Sequence, residues 1–214
     1  MSRRASVADS VSVTALEWAL THVEKYSDTD LFPRAFEFEA IRHNWTEVRG
    51  TLAAVDLATH APEVPRRLMV PKSRFGFRAA HQLHPRDALL YAAMVYEVAP
   101  RMEDARVVLA SRVACSFRVE IGPEGKFFKE SDGSQDFHER SKELADSGEF
   151  SHVIVADIAD FYNQIYTHRV QSILETAGVP KERSDNLEAF LLKLSAKQSR
   201  GVPVGPYSSI VLAE

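Results

Sequence analysis

Apolar positions recur at helical spacing in some stretches of this chain and run together in others, and the two patterns divide it. In TALEWALTHVEKY, residues 14–26, Leu16, Ala19, Leu20, Val23 and Tyr26 fall three or four apart, which predicts a helix with Thr14 as its cap. Residues 36–57 read as a second helical region, interrupted near Gly50. HAPEVP is a linker, and residues 66–85 alternate short apolar pieces with Gly and Pro, as a strand, a turn and a strand do. RDALLYAAMVYEVAPRM is the strongest helical pattern, carried by Leu89, Ala93, Val95 and Tyr96 and expected to stop at Pro100. A strand is predicted over RVACSFRVEI, then a turn and a short return strand over GPEGKFF, then a helix over residues 136–148. The apolar run 151–157 predicts a buried strand. Helices follow in THRVQSILETAGVP and in SDNLEAFLLKLSAKQ, the latter with Asp185 and Glu188 in capping-box spacing, and YSSIVLAE begins one more. The alternation implies an α+β fold with helices against an incomplete sheet.

Composition changes this picture little. Of 214 residues 45% are hydrophobic and 26% charged, which fits an ordered globular chain. The lone Cys115, among Val113, Ala114 and Phe117, reads as a buried thiol and excludes an internal disulfide, so a cytoplasmic location is expected. No apolar stretch is long enough to span a bilayer, and the start MSRRASVADS has no apolar block behind its arginines. The net charge of −4 hides a division: residues 61–118 hold ten Lys or Arg against five acids, and residues 129–160 hold three against nine. The first segment suits phosphates and the second does not.

Four places carry candidate chemistry. Asp157 ends the apolar run 151–157, where an ionised carboxylate is costly to bury unless paired or metal-bound. With the backbone carbonyl of Ile158 it offers the few oxygen ligands that Mg²⁺ takes from a protein; the alternative is a cap on the turn into IADFY. Tyr162 is either a core aromatic or a flat floor beneath a sugar. Lys72, Arg74 and Arg78 around the turn KSRFGFR either wrap an anion or form a solvated surface. GVPVGPYSS sets a tight backbone path before a helix start, which favours phosphate or a closely stacked base pair. The histidines and Cys115 make no zinc pattern, and neither a complete Walker motif nor a G-x-S-x-G elbow occurs.

These pieces together resemble the fingers and palm of a reverse transcriptase (RNA-directed DNA polymerase), of the bacterial abortive-infection or phage-defence type. VADIADFYNQIYTH is similar to the first palm motif, SRGVPVGPYSSIVLAE to the second, and VPKSRFGFR to the fingers motifs, while RVACSFRVEIGPEGKFF and DLFPRAFEFEAI look like the defence-type relatives. The resemblance implies a right-hand polymerase with a helical region over 1–60, fingers and the start of the palm over 61–150, and a partial palm over 151–214. It implies Mg²⁺ held by Asp157 and Ile158, with Asp157 catalytic. Lys72 and Arg78 would meet the triphosphate and Tyr162 the sugar, Phe161 and Pro203 would also contact the nucleotide, and Gly205 would admit the template strand beside it. The implied partners are a dNTP and an RNA or DNA template-primer, or a protein primer, with homo-oligomers possible and no membrane. Val204 stands where the most familiar form of the loop has glutamine. The third palm motif, Tyr-x-Asp-Asp, is absent through Glu214, so the expectation is a fragment or truncated product that is inactive alone. The other expectation is a non-catalytic nucleic-acid-binding module of the same fold.

Overall fold

The computed structural model describes residues 9–29, 31–72, 74–115, 117–129, 133–196 and 198–214. In chain order these form α1 (Val13–Tyr26), α2 (Glu37–His43), α3 (Trp45–Ala53), β1 (Arg66–Pro71), β2 (Phe77–Gln82), α4 (Pro85–Ala105), a 3₁₀ turn (Leu109–Ser111), α5 (Gly133–Asp146), α6 (Phe161–Gln164), α7 (Thr167–Thr176), α8 (Lys181–Leu194) and α9 (Tyr207–Ala213). Among the described residues the sheet is one antiparallel ribbon, β1 with β2, in a register that sets Arg67 opposite His81 and Val70 opposite Arg78. Ala80 is the only ribbon residue fully buried.

The core is helical, and α4 is its axis. Leu89, Leu90, Tyr91, Ala93, Met94 and Val95 are all wholly buried. A helix apolar on so many sides needs neighbours all round. One continuous cluster gathers Leu16, Ala19 and Val23 from α1, Leu52 from α3, Leu174 from α7, Leu187 and Leu191 from α8, and Val211 from α9. It takes members from all three stretches of the chain. No helix among the described residues is long and apolar enough to cross a membrane.

Several elements differ from their sequence pattern, each for a local reason. The cap of α1 is Ser12, not Thr14; its hydroxyl accepts from the Ala15 N–H at 3.1 Å. The interruption in 36–57 falls at Asn44, and Gly50 sits inside α3. Pro100 does not stop α4, which runs on to Ala105 because Val98, Ala99 and Met102 bury beyond it. A proline inside a helix costs about 3 kcal/mol, which burial of those side chains offsets. Asp185 and Glu188 lie within α8, whose cap position is Pro180; Asp185 instead accepts from Lys181 and Gln171. Residues 107–115 form turns rather than a strand, with Arg112 in the left-handed region (φ 53°). The return strand is there in outline. Glu120 N–H donates to Phe127 at 2.9 Å and Lys129 N–H to Arg118 at 2.9 Å, about the Gly122–Gly125 turn.

The largest correction concerns 151–157. It forms neither helix nor strand, pairs with no strand among the described residues, and none of its residues is buried. The buried strand predicted there is not formed, and the segment is exposed. Its apolar composition is that of a sheet interior, and the described residues supply no sheet around it.

The Gly122–Gly125 turn docks on α1 through two donors. The Trp18 indole N–H donates to the Gly122 carbonyl at 2.7 Å, and His22 Nδ1–H to the Gly125 carbonyl at 2.7 Å. Gly125 has φ +82°, and a Cβ there would stand 2.6 Å from the His22 nitrogen, so the close approach requires glycine. His22 lies among Trp18, Phe127 and Tyr207. Burial pushes its pKa down from 6.5 to about 4, against the opposing effect of its bond to Gly125.

A folded pKa below the unfolded one means that the unfolded state takes up protons first as pH falls. The stability that His22 gives is full above about pH 6.5 and is lost as pH drops toward 4, an effect of about 3 kcal/mol. Asp28, whose pKa burial raises, acts in the opposite sense, so the test compares two chains rather than one curve. Urea unfolding of the wild type and of His22→Gln between pH 7 and pH 4 should show a flatter acid limb in the variant. Parallel curves would remove His22 as the cause.

Candidate functional site

The glycine-rich stretch 201–206 is laced to the body on two sides. On one, Gly201 N–H donates to Ile165 at 2.8 Å and Val202 N–H to Tyr162 at 3.1 Å. On the other, the His81 backbone N–H donates to the Val204 carbonyl at 2.7 Å, and the Val204 N–H donates to His81 Nδ1 at 3.1 Å. His81 thus binds Val204 as a second strand would, with its ring supplying the acceptor. That role fixes the neutral ring with its proton on Nε2. Burial and then the charge of Arg67 lower the His81 pKa, which favours the same form. A bridge between Thr29 and Pro206 and the Tyr207 N–H to the Asp28 carbonyl complete the lacing.

Where the ribbon, α6 and this loop meet, a cleft of about 520 Å³ opens. Arg67 and His81 reach it from the ribbon, Asp160, Asn163 and Gln164 from the start of α6, and Arg200 and Pro203 from the loop. Side chains alternate across a strand, so Arg67 and His81 share one ribbon face and Arg78 belongs to the other. Among the described residues Arg67 has no carboxylate partner, and the Arg200 guanidinium donates to Gln164 Oε1 at 3.4 Å. Asp160 is the one acid among the described residues of the lining; it holds the Nδ2–H of Asn163 at 2.7 Å and has left-handed backbone (φ 56°). Two arginines against one aspartate leave the cleft cationic.

The residues singled out in the sequence are distributed as follows. Pro203 lines the cleft. Gly205 is pressed against protein: a Cβ there would lie 3.0 Å from Thr29 Oγ1 and 3.4 Å from the His81 carbonyl. Phe161 and Tyr162 stand edge to face at 5.8 Å, and Tyr162 is half-buried against the core. Lys72 closes the ribbon turn, its N–H donating to Gly76 at 2.8 Å, and its side chain is exposed like that of Arg78. Asp157 and Ile158 are exposed on the unpaired segment. Arg67, His81 and Arg200 were not among the sequence candidates. The signal for the first two lay in the period of two along the ribbon, and for Arg200 in its place beside Gly201.

Two-ion phosphoryl transfer needs carboxylates on both sides of the metal pair. Among the described residues no group of three or more His, Cys, Asp or Glu is placed to hold a metal ion. Asp160, nearest to Asp157 in sequence, is engaged with Asn163. Asp157 with the Ile158 carbonyl does not by itself fit a two-ion centre.

Gly205→Ala tests the lacing. The backbone there has φ +124°, and Thr29 Oγ1 is held in place by the Leu31 N–H at 3.1 Å. Left-handed backbone and the forced shift together should cost about 2 kcal/mol in thermal or urea unfolding. Gly148→Ala is the control, since Gly148 has φ +75° but nothing within 4 Å of the added methyl. Equal losses in the two variants would contradict a loop held tight at Gly205.

Comparison of the chain with protein-family models, with curated proteins and with solved structures found no match in any of the three.

Proposed function

We propose that this chain is a nucleic-acid- and nucleotide-binding unit built as the fingers and the beginning of the palm of an RNA-directed DNA polymerase of the bacterial phage-defence type. One observation carries the reading. Two stretches that resemble polymerase motifs, 155–168 and 199–214, are far apart in sequence and line one cationic cleft, and Arg67 and His81, which flank the third stretch in the ribbon, line it with them. The volume of about 520 Å³ accommodates a nucleotide. Arg67 and Arg200 supply charge-assisted donors to phosphate oxygens, and the His81 Nε2–H a third donor. Asn163 and Gln164 offer amide donors and acceptors of the kind that read base edges or sugar hydroxyls. The exposed Phe75 and Phe77 on the ribbon give flat faces for unpaired bases.

In the polymerase reading, dNTP and template-primer are the partners, Lys72 and Arg78 extend the cationic surface along the ribbon, and Mg²⁺ comes with the nucleotide to Asp157. The second reading, a non-catalytic nucleic-acid-binding module, needs only the cationic cleft and no metal centre. Both place a phosphate-bearing ligand in the cleft, and they part on whether a free dNTP enters it.

The test is anisotropy of a labelled single-stranded oligonucleotide over a range of salt. Arg67→Ala and Arg200→Ala should each weaken binding alike across sequences. Each should also flatten the plot of log K against log salt, by about 0.7 for every phosphate no longer neutralised. An affinity and slope unchanged in both variants would sink the cleft as the interface. Displacement of the oligonucleotide by dATP supports the polymerase reading, and failure of dATP to compete supports the module.

A further inference from the structure

Of the bonds that lace the loop 201–206, the one from the Val204 N–H to the His81 ring ends on an acceptor that a proton can take. That bond reaches Nδ1 at 3.1 Å, while the His81 N–H donates to the Val204 carbonyl at 2.7 Å. The N–H groups of Gly201, Val202 and Tyr207 end instead on backbone carbonyls, which do not titrate in a folded chain. A ring protonated at Nδ1 would set two N–H donors against each other, with no acceptor between them. Val204 is only 6% exposed, so its amide would then be a buried donor without a partner, which favours separation.

We propose that His81 is a proton-gated latch on the wall of the cleft: the neutral ring holds Val204 against the ribbon, and the ring protonated at Nδ1 releases it. The ring Nε2–H is a donor in both states, so a ligand can use it without disturbing the latch. Protonation therefore acts on the loop and leaves that donor in place. Burial and then the charge of Arg67, opposite His81 on β1, favour the neutral, latched ring. The other charges of the cleft lining among the described residues are Arg200 from the loop and Asp160 from the turn before α6, one of each sign. A folded pKa below the ordinary 6.5 keeps the latch closed at and above that pH. The latch opens as pH falls through the lower folded value, and its stabilising effect is lost over the same window. Behind the loop, the Asp28 carbonyl accepts from the Tyr207 N–H, and burial raises the pKa of the Asp28 carboxyl, so acid acts there too. A variant at His81 separates the two. The latch stands on the two bonds alone; that its release alters a ligand site rests on the proposed function.

The test needs no ligand, so it holds or fails apart from the reading of the cleft. Histidine ring ¹⁵N shifts, followed from about pH 8 to about pH 5, should show His81 with its proton on Nε2 until the ring becomes charged. Hydrogen exchange at the Val204 amide, corrected for the intrinsic rate, should lose about tenfold in protection through that titration, the equivalent of about 1.4 kcal/mol. His81→Asn puts Oδ1 where Nδ1 stands, an acceptor that does not titrate, and should keep the Val204 protection across the whole range. Three results would each overturn the proposal: a ring that stays neutral until the chain unfolds, Val204 protection that persists once the ring is charged, or the same loss of protection in His81→Asn as in the wild type. The last would move the acid response from His81 to another group, Asp28 first among them.

Discussion

Burial of α4 on nearly all sides is the constraint from which the rest of the molecule follows. A helix that hides Leu89, Leu90, Tyr91, Met94 and Val95 completely must be enclosed by other elements. The enclosure sets one polar condition as well. The Tyr91 hydroxyl is wholly buried, and leaving it unpaired would cost about 1–3 kcal/mol. It pairs with the Ser209 hydroxyl at 3.0 Å, which fixes α9 against α4. Burial raises the Tyr91 pKa, so the phenol stays a neutral partner. With α9 fixed, the preceding loop 201–206 is fixed, and through Val204 and His81 so is the ribbon. The cleft is a consequence of where the core requires α9 to lie.

The same dependency explains which elements were legible in the sequence. α1, α4, α7 and α8 bury a stripe of their own surface, so their apolar spacing was sufficient to find them. The end of α4 was not legible, because Pro100 is a local stop signal and the burial of Met102 beyond it is a tertiary effect. The 151–157 segment failed in the opposite way. Its composition is that of a strand buried on both faces, and composition says nothing about whether neighbouring strands are present. Residues 107–115 combine β-prone side chains with left-handed backbone at Arg112, a turn that no glycine announced.

The site was legible in its motifs and not in its detail. The glycine-rich loop and the start of α6 were singled out, and both reach the cleft. Gly205 was expected to admit a template strand, and the space it leaves is taken by Thr29 and His81. The cationic residues chosen around the ribbon turn were those nearest the glycine, whereas the strand alternation brings Arg67 and His81 to the cleft. Sequence spacing marks a hairpin readily. Which of its faces meets the body depends on a bond with Val204, more than a hundred residues away.

The central claim is that the junction of ribbon, α6 and loop is where a phosphate-bearing ligand binds. The most direct measurement is photo-cross-linking with an azido-substituted dATP and with a thiothymidine oligonucleotide, mapped by mass spectrometry of the peptides. The account predicts adducts on peptides containing Arg67 to His81, Asp160 to Gln164 and Gln198 to Pro203, suppressed by unlabelled oligonucleotide. Adducts confined to other surfaces, such as α5, or unaffected by that competitor, would contradict it.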